Sequence, residues 1–213
     1  MEEYKFTFKK MILHLKTIII HKYYVFKYCC KCGIPWQGII HDLSKFSPAE
    51  FIPNVKYVKK GVSPIAVQRE VLGFTTSWFH HKGRNPHHYE YWMDKFDAGC
   101  YVTRIPYKYM VEMLCDNLGA NKAYKGKNAT YEDEYKWWQI EKVKRNIHPD
   151  NKKFLDIIFK NLYDAEAFLG DFRKSNNSVN NILNKKNLQE IYYMIIKDSE
   201  YDTQVKIKQP AKE

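Results

Sequence analysis

His41 and Asp42 stand side by side after the apolar run Gly38-Ile39-Ile40, and Leu43-Ser44-Lys45 completes the stretch. An adjacent imidazole and carboxylate can offer one nitrogen and one oxygen to the same cation. Imidazole suits Zn, Fe and Ni, and carboxylate suits harder ions such as Mg and Mn, so the pair accepts many divalent metals. Lys45 follows Asp42 by three residues. On a helix it would share that face and could meet an anionic substrate held at the metal. Taken alone, the pair also fits a helix end with a buried His and a capping Asp. Its company argues for chemistry. Six of the eight histidines could converge on it, and four stand around one turn in Trp78-Phe79-His80-His81-Lys82-Gly83-Arg84-Asn85-Pro86-His87-His88. A His pair on each side of a tight turn can send one member inward and leave the other to solvent, and the sequence leaves open which. Arg84 could grip phosphate oxygens in a bidentate way or simply face solvent, and Asn85 could cap a helix beginning near Pro86.

Helices must carry these side chains. No Gly or Pro interrupts residues 4–31, and Met11, His14, Leu15, Ile18, His21, Val25 and Tyr28 recur at three- and four-residue steps. This predicts one long helix with His14 and His21 on a single face, ended by Gly33 and Pro35. A second helix is expected over residues 36–45, carrying His41 and Asp42. Ser47-Pro48-Ala49-Glu50 has the capping-box pattern with Pro at the first helical position. Ser63-Pro64 opens a fourth helix in the same way, expected to continue through Trp78 to His80 and His81. Residues 87–96 read as a short amphipathic helix. Pro106 begins the next one, with Glu112 and Asp116 one turn apart on it. A charged helix over 131–146 and an amphipathic one after Pro149 follow. Residues 176–187 read as an Asn-rich loop with a weak helix in it, 188–196 as a docking segment, and 200–213 as a solvated tail. There is no repeat and no convincing strand series. The expected fold class is all-α, with a metal-binding helical unit over residues 1–150, C-terminal helices 151–199 packing on it, and the flexible tail.

His-Asp-x-x-Lys, preceded by a helical His some twenty residues earlier and followed by an Asp on a much later helix, resembles the HD-domain superfamily of metal-dependent phosphohydrolases. His41-Asp42-Leu43-Ser44-Lys45 looks especially like the His-Asp-Ile-Gly-Lys segment of its cyclic-dinucleotide phosphodiesterase branch. More narrowly, HDLSKFSPAEF, HHKGRNPHHYEYW and EMLCDNLGA are together similar to an uncharacterised family of small bacterial and phage proteins, over roughly residues 5–150. The wider resemblance implies an HD-like bundle in which His21, His41, Asp42 and Asp116 hold one ion. It also implies that one of His80 and His81, and one of His87 and His88, bind a second. His21 with Val25 fits the superfamily's His-x-x-x-Val pattern, and His14 with Ile18 fits nearly as well, so His14 is either the alternative ligand or a hydrogen-bonding neighbour. His21 lies closer to His41 than the superfamily spacing. Cys115-Asp116-Asn117-Leu118-Gly119-Ala120 is similar to its Asp-x-Leu-x-Ala segment. Glu112 is a candidate to orient a metal-bound imidazole.

The implied reaction is hydrolysis of a phosphate ester or anhydride by one or two divalent ions (Mn, Fe, Ni, Co, Mg or Zn), with Lys45, Asp42, His81 and Arg84 acting on substrate. A nucleotide is the expected small anionic substrate, and a net charge of +11 suits polyanionic partners, nucleic acid among them. Lys-covered helices would give the same charge. Two other readings stay open. A His-rich set with carboxylates also resembles HD-fold di-iron oxygenases, and a basic all-α module could bind nucleic acid or a protein around a structural metal. Five cysteines, an odd number, point to reduced thiols in a cytoplasm. Cys29-Cys30-Lys31-Cys32 has no second Cys pair to complete a zinc site, so buried thiols are expected. The apolar run Ile18-Ile19-Ile20 is too short to span a bilayer. The apolar helices near 154–169 and 188–196 could form an interface between copies.

Overall fold

α1 (Phe8–Lys31) is the long helix that its unbroken apolar stripe requires. The Thr7 hydroxyl accepts from the Lys10 amide at 3.2 Å to start it, and Gly33, at φ +73°, turns the chain beyond its end. It belongs to a computed structural model that describes residues 4–97, 99–169 and 178–207. His14, Ile18, His21, Val25 and Tyr28 are all buried on one face, as the spacing predicts.

α2 (Pro35–Ile40) is shorter than expected. The helix stops at His41, Asp42 adopts the left-handed conformation (φ 55°, ψ 27°), and Leu43–Phe46 form a 3-10 turn. Asp42 is the only non-glycine with positive φ among the described residues. Asp tolerates that region better than most residues, at a cost of about 1–2 kcal/mol. The break is held from α1, where the Lys22 ammonium donates to the carbonyls of Ile39 and His41, both at 2.7 Å. Lys45 still lies over Asp42, because its amide bonds the Asp42 carbonyl across the turn.

α3 (Pro48–Tyr57) begins where Ser47-Pro48 predicts, but the Ser47 side chain makes no capping bond and Glu50 points elsewhere. The expected single helix to His81 is two, α4 (Pro64–Leu72) and α5 (Thr76–Lys82), separated at Gly73 with φ +74°. Residues 87–96 are not a helix. Tyr89–Trp92 make a 3-10 turn and Met93–Phe96 form β1, which pairs antiparallel with β2 (Gly99–Thr103). α6 (Tyr107–Lys125), α7 (Tyr131–Glu141), α8 (Pro149–Leu169), a helical turn at 178–182 and α9 (Lys185–Lys197) follow. Within the expected tail, Gln204–Ile207 are β3 and add to β2 with Cys100 opposite Ile207; residues 208–213 lie outside the described residues. The fold is predominantly α, with this one small sheet, order β1-β2-β3.

One apolar core joins α1, α6, α7, α8 and α9, with Val25, Leu114, Trp138, Phe154, Phe159, Leu188 and Tyr192 inside it. Much of the apolar surface of α8 and α9 is buried in this core, while Phe168, Tyr193 and Met194 are exposed. Cys29, Cys32 and Cys115 are buried and all five cysteines are free thiols. No helix among the described residues is long and apolar enough to cross a membrane.

Two glycines let helices approach α1 closely enough to build the site. A β-carbon on Gly38 would lie 2.9 Å from Phe26 Cα, and one on Gly119 would lie 2.5 Å from Val25 Cγ2 and 3.0 Å from the Val25 amide nitrogen. Gly119 therefore fixes how near α6 comes to α1, and hence how near Asp116 comes to His21. In open space Gly119→Ala would stabilise a helix interior. Here it is expected to lower stability by about 1–3 kcal/mol through overpacking, read as a lower urea midpoint. A raised midpoint would show that the two helices are not in obligatory contact.

Candidate metal centre

Asp42 is the hub. Its Oδ2 lies 3.1 Å from His41 Nε2 and 3.5 Å from His21 Nε2, and the Lys45 ammonium sits on it at 2.5 Å. Asp116 Oδ1 closes this group at 3.1 Å from His21 Nε2 and 3.4 Å from His41 Nε2. The other carboxylate oxygen, Oδ1, faces a second group, with His81 Nε2 at 3.3 Å and His87 Nε2 at 3.4 Å. His88 belongs to that group as well. The left-handed turn at Asp42 is what aims one carboxylate at two sets of imidazoles supplied by four segments of chain.

For His41, His81 and His87 the inward nitrogen is set by what the far side of the ring touches. Glu112 Oε1 lies 3.0 Å from His41 Nδ1 and 3.1 Å from His87 Nδ1, and Glu112 Oε2 accepts from Gln37 Nε2 at 2.7 Å. With Nδ1–H donated to Glu112, the Nε2 lone pairs of both rings are left for the Asp42 side. His41, His87 and Glu112 also lie close enough to hold an ion among themselves, but those Nδ1 contacts are of hydrogen-bond length, and we assign Glu112 to holding the rings. Glu50 does the same for His81, its Oε2 at 2.7 Å from Nδ1.

The electrostatics follow from this crowding. Burial works against charge on His41, but Asp42, with help from Asp116 and Glu112, overrides it and holds the imidazole well above its ordinary value. Burial likewise opposes ionisation of Asp42 and Asp116, and the facing imidazoles, with Lys45 for Asp42, keep both carboxyls well below theirs. Glu112 is held down to about 2, against its burial, by His41 and His87. His88, short of a carboxylate partner, is pushed well below by burial and by His87 and His81. Beyond the ion-pair contacts just given, Asp42 Oδ1 and Oδ2, His87 Nε2 and His88 Nε2 are buried without a well-aligned hydrogen bond. A cation among them would satisfy all four, so the donor set fits one or two divalent ions of the hard-to-borderline class.

Three sequence-derived candidates fall outside this constellation. His80 turns to Glu50, with Nδ1 2.6 Å from Oε1, and lies in none of the groups that could hold an ion. The inward residues are His81 and both of His87 and His88, rather than one from each pair, because the turn at Asn85 folds back on α5. Asn85 Nδ2 donates to the His81 carbonyl at 2.7 Å and to Ser44 Oγ at 2.8 Å, so it ties the turn to the 3-10 segment instead of capping a helix. Arg84 is exposed on that turn and does not line the cavity. His14 neither binds the cluster nor hydrogen-bonds to it. It packs on Phe51 with ring centroids 5.2 Å apart, both its nitrogens lack partners, and burial followed by Lys45 lowers it to about 4. Glu50 escaped sequence reasoning because Ser47-Pro48-Ala49-Glu50 reads so well as a cap.

A cavity of about 590 Å³ opens from the cluster, within the range of small-molecule sites. His21, Lys45, His81, His88 and Asp116 form its floor, and Asn117, Asn121, Tyr124, Glu134 and Trp137 belong to its walls. Arg69 lies over Trp78 at 5.3 Å and Arg145 over Trp137 at 4.8 Å, which places two cations that the sequence did not single out on the same cavity.

The fold and the site thus define an α-helical protein with a buried His/Asp centre beside a cavity. The chain belongs to a family of unknown function (DUF5662), which matches residues 10–161. No curated protein and no solved structure matches it.

Glu134 gives the cavity wall a pH signature. Burial raises its carboxyl to about 8, with Lys125 opposing and Asp133 and Asp116 adding to the rise. A carboxyl raised in the folded state binds its proton more tightly there, so its contribution is full below about 4.5 and is lost as pH rises through 8. Glu134→Gln, which stays neutral, is therefore expected to match the parent Tm near pH 5 and to exceed it increasingly up to pH 9. A difference independent of pH would contradict the raised value.

Proposed function

We propose that this protein is a metal-dependent phosphohydrolase acting on a small phosphate ester or anhydride, a nucleotide or a relative of one. The observation that carries the reading is the placement of Asp42, one oxygen toward each of two imidazole sets, with Lys45 against it at the cavity floor. His21, His41, Asp42 and Asp116 would hold one ion, and Asp42, His81, His87 and His88 a second. Divalent ions there would supply Lewis acidity toward a phosphoryl oxygen and toward the attacking water.

The chain's own groups do the rest. Lys45 is half-buried beside Asp42 and Asp116, which outweigh the desolvation penalty and raise its ammonium above the ordinary range, so it stays charged. It can meet the charge that builds on phosphoryl oxygens in the transition state. Glu112 and Glu50 fix the ring orientations and leave the rings little freedom to lose on binding. The burial of Asp42, His41, His81 and His87 lowers the local dielectric and strengthens each of these interactions. The shape also supports this reading over a nucleic-acid surface, since the ligand-type residues gather in a cavity rather than along an exposed basic face.

Hydrolysis of p-nitrophenyl phosphate with added Mn is the test. His21→Ala and His87→Ala should each lose more than about 100-fold in rate, beyond the cost of removing a ring-orienting partner, while Arg84→Ala stays within about twofold. Turnover that survives both His replacements and a chelator would end the proposal.

A further inference from the structure

The cavity is chemically divided. Its floor is ionic, whereas the stretch where α6 meets α7 has its charges paired, Lys125 with Asp133 and Arg145 with Glu141, and carries polar atoms without a hydrogen-bond partner. Asn117 Nδ2, Asn121 Oδ1 and Glu134 Oε2 are all buried without a hydrogen-bond partner. Asn117 and Asn121 sit one turn apart on α6 and line the same cavity as Asp116, and a rise of about 1.5 Å per residue puts Asn121 about 7.5 Å along the axis from Asp116. Asn121 Nδ2 donates to the Thr130 carbonyl at 2.9 Å, and Thr130 caps α7, so the amide is fixed with its oxygen free. Glu134, 7% exposed, comes from the first turns of α7. Each such orphaned atom costs on the order of 1–3 kcal/mol unless a ligand or water satisfies it.

The residues around them specify what could satisfy them. Lys125 is paired with Asp133 at 2.9 Å, and Arg145 is engaged by Glu141 at 3.4 Å and by the faces of Trp137 and Tyr89. No cation on this stretch is left to take a second phosphate. Burial, with Asp133 and Asp116 outweighing Lys125, keeps the Glu134 carboxyl protonated near neutral pH, so it can both donate and accept. A free amide donor, a free amide oxygen and a neutral carboxyl form a mixed donor–acceptor edge. Trp137, Tyr124 and Tyr89 line the same cavity and supply flat apolar surface.

We propose that the α6–α7 end of the cavity is a nucleoside subsite, where Asn117, Asn121 and Glu134 hydrogen-bond the edge of a nucleobase while the phosphate lies against Lys45. The placement of the phosphate rests on the phosphohydrolase reading; the base subsite does not.

Calorimetric titration of the full chain in EDTA separates the two. Uncharged adenosine, guanosine, cytidine and uridine are compared with ribose 5-phosphate. At least one nucleoside should bind without metal. Asn117→Ala, which removes a nitrogen that has no protein partner, should weaken that binding at least tenfold, and Glu134→Gln should weaken it less than Glu134→Ala. No nucleoside binding, or equal binding to Asn117→Ala, overturns the subsite and shows that water alone fills this wall. If p-nitrophenyl phosphate is hydrolysed with metal in that case, the phosphohydrolase reading survives without it. Nucleoside binding that depends on Asn117, with no hydrolysis of any phosphate ester, would support the subsite and reject the reaction.

Discussion

Burying Asp42 is the constraint on which the N-terminal half of this structure depends. Its side chain is 1% exposed and surrounded by His41, His81 and His87, each almost fully buried. Four carboxylates, Asp42, Glu50, Glu112 and Asp116, meet within this one cluster, and among the described residues Lys45 is the ammonium ion-paired with them. Taking such groups out of water costs several kcal/mol per ion, and their mutual attraction repays it only with complete pairing. The bare protein manages part of this by holding protons on imidazoles, as the raised value of His41 shows. Divalent cations would complete it.

The surrounding architecture makes sense as the means of reaching that arrangement. α1 contributes His21 inward and, one residue on, Lys22 to the carbonyls at the break after α2. That break rotates Asp42 into the left-handed region, which a continuous helix would forbid. Gly38 and Gly119 bring α2 and α6 onto α1 at backbone contact distance. Glu112 then reaches both His41 and His87, so the α6 helix that supplies the Asp116 carboxylate also orients two rings.

Much of this was readable in the chain. The buried stripe of α1, the start of α6 at Pro106 and the placing of Glu112 one turn from Asp116 follow from spacing and residue type, whereas the grouping of His21, His41, Asp42 and Asp116 was implied by the HD-domain resemblance. What was missed has particular causes. Helical periodicity over 36–45 concealed a break made by tertiary contacts to Lys22. Gly99-Cys100-Tyr101-Val102-Thr103 did carry a strand signal, a β-branched and aromatic run, but Met93-Asp94-Lys95-Phe96 has no period-2 alternation, and the spacing over 87–96 resembled that of a helix. β3 adds to an edge from about a hundred residues away, and no local pattern can report such pairing. Which of two adjacent histidines points inward depends on the Asn85 fold-back, a contact invisible in spacing. The cavity's α6–α7 wall depends on Glu134, which as sequence is one more acid on a charged helix.

Elemental analysis of protein purified without a His tag tests the central claim most directly, with Asp42→Asn beside it, since Asn tolerates the left-handed turn while removing the shared charge. About two divalent ions per chain in the parent, and at most about one in the variant, is the result this account predicts. A folded parent that holds no stoichiometric metal even after incubation with Mn would contradict it, and would leave the histidines and carboxylates as a buried polar network with no cation to complete.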